Sequence, residues 1–171
     1  MRAYSVKKES PYSADGTPRE INTLCQVYLT APSNVETYQI SFHVKDKEYG
    51  GEMSFDNVKT QYYFSCSIDV DHLPFIEFTL SYKEQTVLLK AETIKTDDTI
   101  TPKKALEFVR IGEPALFKKM TDKYGFTGEI HIRLLYEDAP YYYVGIIGRD
   151  GKTTAFLLNG ETGKILAKRE S

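Results

Sequence analysis

The chain has no tryptophan, only two cysteines and three histidines, and almost no net charge, and none of its apolar runs reaches the length of a membrane-crossing helix. Each shortage excludes something. Without tryptophan, the buried indole and widely spaced cysteines of antibody-type domains are not both present, so any likeness to an immunoglobulin fold is architectural only. A formal charge of -2, with acidic and basic residues interspersed, leaves no broad electrostatic footprint for nucleic acid or an anionic membrane surface. The pairs Lys103-Lys104 and Lys118-Lys119 read as solvated helix faces. The first residues, MRAYSVKKESPYSADG, hold no hydrophobic segment of a secretory signal. Taken at its own Met1 the chain is expected in the cytoplasm, and outside it if a leader was removed before an added methionine.

The two cysteines leave the compartment open. Cys25 and Cys66 each fall on the apolar face of an expected strand. Two buried free thiols are the plainer reading and a disulfide between facing strands the sharper one. With no signal segment, free thiols are favoured.

What is present is an ordinary globular composition, 41% hydrophobic and 27% charged, long enough at 171 residues for one large domain or two small ones. Residues 1–20 lack periodicity and read as a tail or a loosely attached edge. From 21 to 96 the pattern is β throughout. Tyr38, Ile40, Phe42 and Val44 alternate with Gln39, Ser41, His43 and Lys45, which requires a strand with one wet face. Residues 48–51 read as a turn before a short return strand at Met53 and Phe55. Tyr62, Phe64, Cys66, Ile68 and Val70 form the longest alternating series and the candidate central strand. Ile76, Phe78, Leu80 and Tyr82 make a further strand, and a two-residue turn at Glu84-Gln85 leads into one more. With a first strand at 24–30, six such strands at short spacing predict a small antiparallel sandwich.

Residues 96–101 are polar and read as a linker to a second domain, 97–171. Thr101 and Pro102 start a helix whose apolar stripe is Ala105, Leu106, Phe108, Val109 and Ile111, and Gly112 is expected to end it in the left-handed conformation. Pro114 opens a second helix with Leu116, Phe117, Met120 and Tyr124 on its sticky face, closed by Gly125. Both helices are expected to cover one face of the sheet that follows. In that sheet Ile130, Ile132, Leu134 and Tyr136 point one way and Glu129, His131, Arg133 and Glu137 the other. Turn signals at 137–140, Asp150-Gly151 and Asn159-Gly160 separate the strands of a four-stranded meander. The fold class is therefore α+β in two domains, an all-β antiparallel sandwich followed by helices packed on an antiparallel sheet.

Three groups of residues invite a chemical reading. Asp69, Asp71 and His72 place two carboxylates on one strand face beside an imidazole, yet no third ligand follows by spacing, and a solvated strand end is the plainer account. His43 and His131 lie on polar strand faces away from any nucleophile motif. The stretch Gly160-Glu161-Thr162-Gly163-Lys164 lacks the full glycine spacing of a phosphate loop and precedes a strand, so it is a hairpin turn. No catalytic residue, metal site or cofactor is expected.

The thirteen tyrosines carry the best functional lead. Tyr62-Tyr63 and Tyr141-Tyr142-Tyr143 guarantee outward rings on regular strands. Tyr63, Tyr141 and Tyr143 are the candidate binding residues, because outward tyrosines offer large contact area with a polar tip. Cross-strand stabilisation of an ordinary sheet is the competing reading.

Over residues 100–168 the chain resembles the PepSY domain family. Ala105 and Leu106 match its helix, Tyr142, Tyr143 and Val144 its aromatic strand, and Thr162, Gly163, Lys164 and Ile165 its closing turn. The chain departs from the family in having Asn159-Gly160 where aspartate is frequent, and in a longer segment at 113–126, which also suits a related cystatin-like fold. The resemblance implies a non-catalytic module of the kind found in protease propeptides and cell-envelope proteins, suspected of restraining peptidases. The expected partner is a protein or peptide, with a second copy of the chain as one form it could take. The alternative is a small-ligand receptor or enzyme with a pocket between helices and curved sheet.

Overall fold

A computed structural model describes residues 1–7, 23–33 and 36–171, together with the backbone of two short strands between the first two segments. The protein is mostly antiparallel β with two short helices. It divides into two compact units, Met1–Thr93 and Ile94–Ser171, and each of its sheets lies within one of them.

The first unit runs β1 (Arg2–Lys7), β2 (Ser13–Ala14), β3 (Thr17–Pro18), β4 (Thr23–Leu29), β5 (Tyr38–Val44), β6 (Lys47–Glu52), β7 (Ser54–Asp56), β8 (Gln61–Cys66), β9 (Phe75–Tyr82) and β10 (Gln85–Glu92). Two four-stranded antiparallel sheets result, ordered β1-β4-β8-β7 and β10-β9-β5-β6, and β2 pairs with β3. Their inward side chains form one cluster, in which Cys25, Val27 and Leu29 of β4 and Tyr62 of β8 join Ile40 and Phe42 of β5 and Phe78 of β9. Strand β5 shows why these residues make a strand. Its four even-numbered apolar side chains are buried and Gln39 and His43 are exposed, so one face feeds the core and the other meets water. Tyr38 stacks on Tyr82 at 4.9 Å and meets Tyr62 edge-on at 4.7 Å, and the Tyr62 hydroxyl donates to the Glu36 carbonyl at 2.6 Å.

Several sequence expectations are corrected here. Arg2–Lys7, read as tail or loose edge, pairs with β4 along its whole length. The rest of that reading covers the short strands β2 and β3, and residues 8–12, 15–16 and 19–20, which lie outside those described. Residues 48–51 are not a turn, because the chain reverses at Lys45 and Asp46, with Lys45 at φ 55°, and continues as β6. That strand is an edge with neither face well buried, so its sequence KEYGGE carries no alternation to read. Strand β8 ends at Cys66 rather than reaching Val70. A tight turn with the Ile68 amide donating to the Cys66 carbonyl at 3.1 Å follows, and Val70 reaches the core from irregular chain.

The second unit runs α1 (Pro102–Gly112), α2 (Pro114–Lys119), β11 (Thr121–Asp122), β12 (Gly125–Phe126), β13 (Glu129–Tyr136), β14 (Pro140–Ile147), β15 (Thr153–Asn159) and β16 (Ile165–Glu170). The last four pair in chain order as a meander. Thr101 caps α1 by accepting the Lys104 amide on Oγ1 at 3.2 Å, and Pro102 occupies the first turn, where its missing donor costs nothing. Ala105 and Val109 are fully buried against Tyr142, Val144, Ile146, Phe156 and Leu158. The rest of the expected stripe is narrower than read. Ile111 is 75% exposed, because it stands about 120° round the helix from Ala105, and Phe108 is exposed as well.

Three glycine roles also change. Gly112 has no positive φ, and α1 ends when the Glu113 amide donates back to the Val109 carbonyl at 2.9 Å. Gly125 does not close α2, which stops at Lys119, but at φ 123° serves the small β11–β12 ladder. Asn159-Gly160 is not a two-residue hairpin. The Asn159 carboxamide oxygen accepts from the Glu161 and Thr162 amides at 3.0 and 2.8 Å, and the positive φ sits on Gly163, at 71°.

Candidate functional site

An antiparallel sheet with one covered face normally alternates apolar and polar residues. Strand β14, PYYYVGII, does not. Its even-numbered residues Tyr142, Val144 and Ile146 lie in the core beneath α1. Its odd-numbered residues face the other way, and register assigns their neighbours: Tyr141 stands between Leu135 and Asn159, and Tyr143 between Arg133 and Leu157. Leu157 is opposite Ala167 on β16, and Ala155 is opposite Gly145. The sheet thus carries a second apolar field of Leu135, Tyr141, Tyr143, Ala155, Leu157 and Ala167, in which Leu135 and Ala167 are exposed and the others half-buried. His131, Arg133 and Arg169 flank it on β13 and β16.

The two tyrosines have local partners that set their orientation. The Tyr141 hydroxyl donates to Asp138 Oδ1 at 2.7 Å. That bond holds the Asp138 carboxyl below the usual carboxylate range and pushes the Tyr141 hydroxyl up. Tyr143 lies along its own strand over Gly145, so that a Cβ there would stand 2.8 Å from the phenol oxygen. The glycine leaves the ring a flat seat and the ring covers backbone that would otherwise be bare. Strand β13 is the sheet's edge, so Ile130, Ile132 and Leu134 are only half-buried beside α1, and Tyr136, expected inward, is exposed.

Tyr63 belongs to a different sheet in the first unit. It is 40% exposed on β8, opposite Tyr28 of β4 and Ser54 of β7. Tyr28 meets the Tyr4 ring edge-on at 5.8 Å, with Lys59 Nζ 5.4 Å from its centroid. Tyr4 and Tyr28 were not singled out from sequence, although the alternation of Tyr28 with Cys25, Val27 and Leu29 already turns it outward.

The acidic pair has a structural use. Lys7 Nζ sits 3.0 Å from Asp69 Oδ2 and 3.5 Å from Asp71 Oδ2, tying the end of β1 to the turn after β8. The Asp71 amide donates to Asp69 Oδ1 at 2.9 Å, and this bond first, then Lys7, holds the Asp69 carboxyl below its ordinary value. His131 pairs with Glu129 at 3.2 Å in open solvent. Among the described residues no three His, Cys, Asp or Glu side chains gather as a metal site. Between α1 and the sheet, the seven core side chains are each at most 1% exposed.

Cys25 and Cys66 are free thiols placed directly opposite each other on β4 and β8. Burial, and secondarily the neighbouring sulfur, push the Cys25 thiol up to about 12, and burial raises Cys66 as well. Comparison of the chain with protein-family models, with curated proteins and with solved structures finds no match.

Proposed function

We propose that this chain is a non-catalytic module that binds a protein or peptide through the uncovered face of its C-terminal sheet. The observation that carries the reading is the double-sided apolar character of β14: one side is needed for the core, and the other presents Tyr141 and Tyr143 with their apolar neighbours on the opposite face of the sheet. Contiguous apolar surface rimmed by polar groups marks an interaction site more often than an accident of composition. The order of a helix followed by a four-stranded meander supports a PepSY-like or cystatin-like C-terminal domain, and the two sheets around one core support a sandwich before it. On the PepSY reading the partner is a peptidase. A ligand pocket between helix and sheet has no support from the closely buried side chains there.

The test compares proteins co-purifying with the wild-type chain, with Tyr141→Ala/Tyr143→Ala, and with Tyr63→Ala, each checked for native circular dichroism. Partners lost from the double variant but kept by Tyr63→Ala are the expected result. Equal retention by all three chains overturns the assignment of this face.

A further inference from the structure

We propose that Cys25 and Cys66 are a thiol–disulfide exchange site, a dithiol inside the core of the first unit that closes into a reversible cross-strand disulfide. Direct opposition on adjacent antiparallel strands is the geometry this requires. Opposed residues on such strands have Cα atoms about 4.5 or 5.5 Å apart, and a disulfide spans Cα atoms about 4.4 to 6.8 Å apart. Both side chains point inward, Cys25 in line with Val27 and Leu29, and Cys66 in line with Tyr62 and Phe64. The two sulfurs therefore share one face of one sheet, and a rotation about each Cα–Cβ bond suffices to join them.

The two thiols have different roles because their exposure differs. Cys25 is fully buried, whereas Cys66 is half-buried at the end of β8, where the chain leaves the sheet. A disulfide reagent, RSSR, of low molecular weight reaches Cys66 first. The Cys66 thiolate attacks one sulfur of the reagent, the S–S bond of the reagent breaks, and one RS⁻ leaves, giving a mixed disulfide on Cys66. The Cys25 thiolate then attacks the Cys66 sulfur and expels the second RS⁻. The sum is two protein thiols plus RSSR giving one Cys25–Cys66 disulfide plus two RSH, with two electrons passed to the reagent. Among the described residues the core around the pair holds no buried charged side chain, and the group opposite Cys25 on β1 is the neutral hydroxyl of Ser5, so no cation stabilises the Cys25 thiolate and the second step is the slow one. The bond once formed keeps Cys66 as its half-buried end, from which a small thiol reverses the exchange, and it ties together the two interior strands of the sheet β1-β4-β8-β7.

The experiment incubates the reduced full chain with oxidised glutathione at about pH 8.5, without denaturant, then alkylates under denaturing conditions and weighs the protein. The expected product has lost two hydrogen atoms, takes up no alkylating reagent, yields a peptide containing both cysteines, and melts roughly 10 °C or more above the reduced form. Cys25→Ser is expected to stop as a glutathione adduct on Cys66, and Cys66→Ser to react little. Two alkylatable thiols after prolonged incubation, a persistent mixed disulfide on the wild-type chain, or an intermolecular dimer would each overturn the proposal.

Discussion

Gly163 shows how much one absent side chain decides in this molecule. Its φ of 71° suits glycine, and the ring of Phe108 fills the space where a Cβ would stand. Gly163→Ala is therefore expected to destabilise the second unit by about 2 to 3 kcal/mol, through positive-φ strain and displacement of the ring, as read from a urea midpoint. Tyr142 is a second such residue, since its hydroxyl donates to the Ile100 carbonyl at 2.7 Å from within the core. Tyr142→Phe should cost about 1 to 2 kcal/mol in the same measurement, the ring packing being unchanged. The contrast with Asn159-Gly160 explains what sequence could supply at this scale. An Asn-Gly pair announces a turn, but whether it or Gly163 takes the positive φ depends on the Asn159 side chain capturing two amides, and no propensity encodes that choice.

Among the elements, edge strands are where reading and structure diverge most. Strand β1 is held at its end by Lys7 between Asp69 and Asp71. Because the folded pKa of Asp69 lies below its ordinary 3.8, its contribution is present above that value and is lost as pH falls further. Protection of the β1 amides relative to their intrinsic exchange rate should therefore fall below about pH 3.8 before the core opens, and Lys7→Ala should abolish that step. Strand β10 lies at the other sheet's edge. Its run Thr86-Val87-Leu88-Leu89 carries no charge, and Leu88 is 78% exposed. Leu88→Lys should lower concentration-dependent association in light scattering with little change in melting temperature, as a charge on an exposed edge opposes strand addition. Strands such as β5 were legible because one face is buried and the other wet, whereas β6 was hidden because neither face enters the core.

At the scale of the molecule, the two units have separate apolar clusters, one built on β4, β5, β8 and β9 and the other on α1, β14 and β15. Residues 94–171 alone are expected to fold cooperatively with the native far-ultraviolet signal, and a molten or unfolded fragment would show that their core is incomplete by itself. Closing Cys25 to Cys66 should then raise the melting temperature of the first unit and leave the second unchanged. The candidate site was legible only in part. Three consecutive tyrosines required at least one outward ring, but nothing in the order of residues said that Leu135, Leu157 and Ala167 from three other strands would join them. The sequence by itself determined which segments are strands with one dry face, where α1 begins, and that the cysteines and alternate tyrosines share faces with the core or with solvent, because side-chain periodicity is local. Only the tertiary structure decided which strands are neighbours, and hence that Cys25 meets Cys66 and that Leu135, Leu157 and Ala167 gather beside the outward tyrosines of β14, because register between strands distant in sequence is set by packing against a common core.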